Sequence, residues 1–272
     1  MLKKDFLKLS FFIIILAALA VFFFFGAGIG NFLWQEWRLA KVSLFLNPDA
    51  EFAVKIGNYY FNVGGKGEYD LVKAEKFFRY ALFLNSEVSD GWHQLAQIDF
   101  LRGNFAGALE KINKQIEIHG DSFMASFYIR GLINGYAGNF DEAEQDFKKF
   151  LEWDKTNWAV HNDLAWVYFQ KGDYKKTEEI ARAGLEFNQN NAWLLTSLGV
   201  ALLNQDKPPH LCDKCGGKKE EVRMVLEEAM TAAVLLTEAD WQKAYPGNNP
   251  AWAQTGLEKM RETITYNLSL AH

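Results

Sequence analysis

The chain carries none of the signatures that would mark a common enzyme. There is no G-x-S-x-G, no H-E-x-x-H and no P-loop. Only two cysteines and five prolines occur among 272 residues. Two cysteines are too few for a disulfide-stapled scaffold, and so few prolines leave long helices permitted. No basic block lies beyond the N-terminus and the net charge is −5, so nucleic acid is not an expected partner. No strand pattern is visible. Aromatic residues, in contrast, are plentiful at 15%, which argues against disorder and for a folded core. The acidic runs "FDEAEQDFKKF" and "KKEEVRMVLEEA" place carboxylates three or four residues from lysines. That spacing describes solvated helix faces and not a catalytic pair. No enzyme is expected.

The longest uncharged stretch runs from Leu9 to Leu33. About 20 apolar residues suffice to cross a bilayer core as a helix, whereas a secretory signal has an apolar region of roughly 7–15. The small residues "GAG" at 26–28 imitate a cleavage site, but the length favours an uncleaved anchor. Lys3, Lys4 and Lys8 precede the stretch, and Arg38 and Lys41 follow it beside Glu36. The basic excess predicts residues 1–8 as a short cytoplasmic N-terminus and 9–33 as a transmembrane helix, with the remainder extracytoplasmic. Trp34 and Trp37 would suit the membrane–water interface.

The rest of the chain repeats. Gly131, Ala165 and Gly199 are spaced by 34 residues, and Ala96 lies 35 before Gly131. Twelve residues after Ala96, Gly131 and Ala165 come Ala108, Ala143 and Thr177. Between them stands a glycine and then an aromatic: Gly103 and Phe105, Gly138 and Phe140, Gly172 and Tyr174. This reads as helix, short turn, helix, and it predicts an all-α solenoid. First helices read Ala53-x2-Ile56-Gly57-x2-Tyr60, Trp92-x2-Leu95-Ala96, His161-x2-Leu164-Ala165-x2-Tyr168 and Leu195-x2-Leu198-Gly199. Second helices read Ala74-x3-Phe78-x2-Ala81-Leu82, Ala108-x3-Ile112, Ala143-x3-Phe147 and Thr177-x3-Ala181. In period and in these positions the chain resembles the tetratricopeptide repeat. Arg130 departs from the pattern, standing where the third repeat wants an apolar residue.

The expected organisation after the anchor has three parts. Residues 34–49 form a connecting helix like half a repeat, since "SLFLNP" at 43–48 resembles "ALFLNS" at 81–86. Residues 50–236 form about four to five repeats, and residues 237–272 form capping helices, the last from about Ala251 to Leu270. "GGKGE" at 64–68 adds five residues to one turn. A longer insertion, residues 206–217, holds "PPHLCDKCGG".

In the family that this chain resembles, first helices line a concave groove that holds a peptide or helix. The resemblance implies as groove residues His93, Gln97 and Phe100, then Tyr128 and Tyr136, then Asn162, Trp166 and Phe169, then Thr196 and Val200. For Trp166 and Phe169 a core role stands equally open. Some family members clamp a C-terminal carboxylate with lysines and an asparagine, and this chain lacks the paired lysines.

His210, Cys212 and Cys215 leave three readings open. They are zinc ligands, for which a fourth is missing; or Cys212 and Cys215 form a disulfide; or the loop is inert. No other cofactor is expected. Thioredoxin-like chemistry needs a neighbouring βαβ unit, which is absent. The leading expectation is a membrane-anchored repeat scaffold for another protein, touching the bilayer through 9–33. The alternative is a membrane-tethered metal- or thiol-dependent protein working through the cysteine loop.

Overall fold

The computed structural model describes residues 13–15, 20, 25–63, 67–205, 216–245 and 248–271. Ten of its helices form five antiparallel pairs: α3 (Ala50–Tyr60) with α4 (Leu71–Leu84), α5 (Gly91–Leu101) with α6 (Phe105–His119), α7 (Ala125–Ala137) with α8 (Phe140–Trp153), α9 (Trp158–Gln170) with α10 (Tyr174–Phe187), and α11 (Ala192–Gln205) with α12 (Gly216–Leu235). Each pair packs within itself and onto the next, and α5, α7, α9 and α11 also lie side by side as an inner layer. The fold is thus the expected all-α helix-pair solenoid.

The turn inside a pair follows from two adjacent residues. Gly103, Gly138 and Gly172 take left-handed backbone (φ +74°, +86° and +74°), which a side chain would disfavour. The next residue is Asn104, Asn139 or Asp173. Asn104 Oδ1 accepts from Gly107 N–H (3.2 Å) and Asp173 Oδ1 from Lys176 N–H (3.1 Å), starting the second helix.

Inside each pair, side-chain volumes are matched. A Cβ on Gly57 would lie 2.5 Å from Phe78, and one on Gly131 2.7 Å from Phe147. A Cβ on Gly199 would collide with Leu226. Where the first helix carries alanine instead, no phenyl ring faces it: Ala96 shares a core cluster with Ile112, and Ala165 with Ala181. The buried core runs as several such clusters along the array.

Arg130, which departs from the repeat pattern, finds partners on both neighbouring helices. Its guanidinium donates to both carboxylate oxygens of Asp146 on α8 (2.9 and 2.7 Å) and to Asn113 Oδ1 on α6 (3.0 Å). Asp146 is 4% exposed, so the charge that replaces an apolar residue is met by a buried partner across the pair.

The segment before the array differs from a single connecting helix. Residues 25–37 form α1, the backbone reverses at Arg38 (φ 52°), and α2 (Ala40–Leu46) runs back along it. Gly26 and Gly30 make the close approach: a Cβ would lie 2.8 Å from Leu46 O and 2.6 Å from Ser43 O. Arg38 closes the end of α1 by donating to Trp34 O (2.8 Å) and Gln35 O (3.0 Å). Trp34 is 3% exposed and stacks edge-on with Tyr59, so it belongs to the protein core, and Trp37 alone of the two is at the surface.

Part of the expected transmembrane stretch, at 9–12, 16–19 and 21–24, lies outside the described residues. Among the described residues no helix is long and apolar enough to cross a membrane. The chain's other end is closed by α13 (Glu238–Ala244), a 3-10 turn at Pro250–Trp252 and α14 (Ala253–Leu270). α14 packs on α12 and α11. Arg261 on α14 donates to Ala233 O (3.1 Å) and Leu236 O (3.3 Å), tying it to the end of α12.

Candidate functional site

The inner layer carries two aromatic ladders. At one end of the first helices, Phe100, Tyr136 and Trp166 follow in contact, with ring centroids 5.3 and 5.1 Å apart. Gly135 allows this, since a Cβ there would lie 2.8 Å from the Trp166 ring. At the other end Trp158 stacks on Trp193 at 5.2 Å. The two residues are one repeat apart, 35 positions, so the solenoid brings them into register.

Between the ladders runs a polar strip, also in repeat register. Tyr128 O–H donates to Asp163 Oδ2 (2.8 Å), and Ser197 O–H donates to Asn162 Oδ1 (3.0 Å). The Asn162 amide reaches Asp163 Oδ1 at 3.4 Å. These side chains and the aromatics enclose a cavity of about 330 Å³, near the lower end of the range for ligand pockets. Gln97, Phe100, Tyr128, Tyr136 and Asn162 line it, together with Asp163, Trp158 and Trp193. Its remaining wall comes from the C-terminal segment. Tyr245, just after α13, lies against Trp193 (6.3 Å) and Trp241 (4.3 Å). Trp241 in turn rests on α14 at Gly256, where a side chain would collide with the indole.

Among the described residues, Asp163 is the only charged one in that lining. It is set deep among protein atoms, and the surface it keeps opens onto the cavity. Burial pushes its carboxyl up to about 6, against the hydrogen bonds from Tyr128 and Asn162, which favour the ionised form. Burial, then the neighbouring carboxylate, pushes the Tyr128, Tyr136 and Tyr245 phenols up as well, so all three remain neutral donors at pH 7. At Tyr245 a hydrogen bond from the Trp193 indole partly offsets that rise.

The other expected groove residues divide. Trp166, Phe169, Thr196 and Val200 line a neighbouring cavity of about 200 Å³. His93 lines neither. It is buried, its Nδ1 is 3.2 Å from Ser126 Oγ and its Nε2 is 2.6 Å from Gln97 Nε2. Desolvation lowers its pKa to about 4, so it serves as a neutral polar core residue. His210, Cys212 and Cys215 lie outside the described residues. Asp163, Trp158, Trp193 and Tyr245 escaped the sequence reading. The 35-residue spacing of the two tryptophans was the available signal. Tyr245 is brought back by a turn that no repeat phase encodes.

Residues 136–198 match the family model of the tetratricopeptide repeat. That segment includes Tyr136, Asp163, Trp166 and Trp193. The BBSome complex member BBS4 of Bos taurus is 26% identical over 153 residues, which cover 56% of this chain and 28% of that protein. Tetratricopeptide repeat protein 36 of Homo sapiens is 35% identical over 83 residues, covering 29% of this chain and 44% of that one. The chain therefore spans less than half the length of these curated relatives. Among solved structures, MamA superposes with a TM-score of 0.53 at 15% identity, covering 72% of this chain and 95% of that one. YrrB, described as a TPR protein with an unusual peptide-binding site, gives 0.53 at 15% identity, covering 75% and 96%. These structures share the fold. Residues 136–198 thus carry a tetratricopeptide repeat, a scaffold for protein–protein interaction.

Proposed function

We propose that this tetratricopeptide-repeat solenoid is a single-pass membrane-anchored scaffold that holds another protein in the concave groove of its inner layer. The cavity between the two aromatic ladders carries the reading. It presents flat apolar rings for a partner's side chains and a polar strip for its backbone, as grooves for peptides and helices do. One relative is described as a member of a protein complex, which accords with a role in assembly.

The anchor rests on the uncharged stretch 9–33 and on how α1 is faced. Gly26, Gly30 and Trp34 turn toward the protein, while Phe25, Ile29 and Phe32 form an exposed apolar stripe on the other side. The basic residues before the stretch favour a cytoplasmic N-terminus and an extracytoplasmic solenoid.

Photocrosslinking in native membranes tests the reading. A photoreactive residue at Tyr136 in the groove is expected to trap a specific partner, and one at Phe83, exposed on α4, is not. Equal trapping from both positions would count against the groove. Alkali-resistant membrane retention should disappear when residues 1–33 are removed, and retention without them would count against the anchor.

A further inference from the structure

We infer that the inner-layer cavity is a receptor for one arginine side chain of the partner segment, with Asp163 as its counter-ion. This rests on the groove reading above and names the chemistry of the occupant.

Three observations converge. Asp163 is a half-buried carboxylate set deep among protein atoms, and among the described residues no lysine or arginine reaches it; its partners are Tyr128 and Asn162, both neutral. A buried charge without a counter-ion is costly, and burial alone has pushed this carboxyl up to about 6. The cavity is also lined by aromatic rings: Phe100 and Tyr136, Trp158 and Trp193, and Tyr245. Aromatic faces attract cations, most strongly where water is excluded. Finally, the Asp163 carboxylate belongs to the cavity lining, and each of its two oxygens already accepts from a neutral donor, Oδ2 from Tyr128 and Oδ1 from Asn162.

A guanidinium suits this better than an ammonium. It is flat, so it stacks between rings while its in-plane N–H groups reach a carboxylate. It is also less strongly hydrated, so leaving bulk water for the cavity costs it less. Its donors form a fork that matches the two oxygens of one carboxylate. The arrangement is opposite in charge to a clamp for a C-terminal carboxylate, which needs lysines.

Two short peptides, Ac-Leu-Arg-Leu-NH2 and its citrulline counterpart, test the assignment on the whole chain in detergent. Citrulline keeps the shape and loses the charge. The NMR signals of the Trp158 and Trp193 indoles, which line the cavity, report binding. The arginine peptide is expected to bind at least about tenfold more tightly than the citrulline peptide. Asp163→Asn should abolish that difference and leave the citrulline peptide unaffected. Equal binding of both peptides by the unaltered chain would overturn the cation assignment while leaving the groove as a docking surface. Binding of neither peptide, with the indole signals unmoved, would overturn the cation assignment and count against the groove as well. The peptide comparison needs no variant, so it stands even if Asp163→Asn fails to fold.

Discussion

Asp163 sets a pH dependence of stability that can be isolated by one substitution. Its folded pKa, about 6, lies above the usual 3.8. Between those values the folded chain keeps a proton that the unfolded chain has released, so stability falls as pH rises through this window and stays reduced above it. Asp163→Asn removes the effect. The variant should match the parent near pH 4 and exceed it at pH 7 by on the order of 1–3 kcal/mol. Denaturant melts at several pH values check this, and a variant weaker than the parent at pH 7 would oppose it. The opposite sign holds for Glu144, which Lys148, Lys171 and Tyr168 hold at about 2 despite the cost of burial; its contribution is lost only in strong acid. Arg130 and Asp146 form a second residue-scale test. Asp146→Ala leaves the guanidinium without its buried partner and should cost about 3 kcal/mol. Replacing both residues with leucine should recover most of that, because the desolvation penalty goes with the pair. Arg130 shows why residue detail outruns sequence reading. The departure from the repeat pattern was visible, but the compensating carboxylate sits sixteen residues away on the facing helix. His93 illustrates the reverse. The repeat phase implies a groove residue, and the side chain is buried.

At the scale of the helix pair, the facing positions act as a unit. Gly131→Ala would bring a Cβ to 2.7 Å from Phe147, which is fully buried and cannot move freely. Overpacking of this kind should cost about 1–3 kcal/mol in a thermal or denaturant melt. Adding Phe147→Leu should return part of the loss, although the same leucine alone is destabilising. Additive losses in the double variant would contradict the close-packing account. Helix positions, turn glycines and the small residues were legible because each repeats at a fixed spacing and each follows from local backbone physics. The hairpin of α1 and α2 was not. Residues 43–48 resemble the end of a second helix, and nothing local announces that the chain turns back at Arg38 with a left-handed backbone. That reversal is secured by contacts with Trp34 and Tyr59, which only the folded arrangement brings near.

Among the described residues, most helix-to-helix contacts pass between neighbouring pairs, and stability should therefore be distributed along the array. Ile264, fully buried between α14 and the last pair, is the lock at that end. Ile264→Asp should release α14 and loosen α11 and α12, while hydrogen exchange in α5 to α8 stays slow. Uniform acceleration across all pairs would mean a single cooperative unit instead. The architecture was legible at this scale because thirty-odd-residue periodicity is a property of the entire sequence. The cavity was legible in part: Gln97, Phe100, Tyr128, Tyr136 and Asn162 were placed through the repeat phase. The wall formed by Tyr245 was not, because it arises after the repeats end. The cysteine insertion interrupts the chain between α11 and α12 without shifting the phase of α12, whose Val222, Leu226 and Ala229 are all buried.

The volume matching within pairs also limits how such an array can grow. Gly57, Gly131 and Gly199 face Phe78, Phe147 and Leu226, while Ala96 and Ala165 sit with Ile112 and Ala181. A whole pair copied elsewhere carries both halves of its match with it. An exchange that joined the first helix of the Ala96 pair to the second helix of the Gly131 pair would set a methyl group against a phenyl ring, and the converse exchange would leave a void. Duplication by complete pairs is therefore open to this chain, and recombination at the turn within a pair is closed to it.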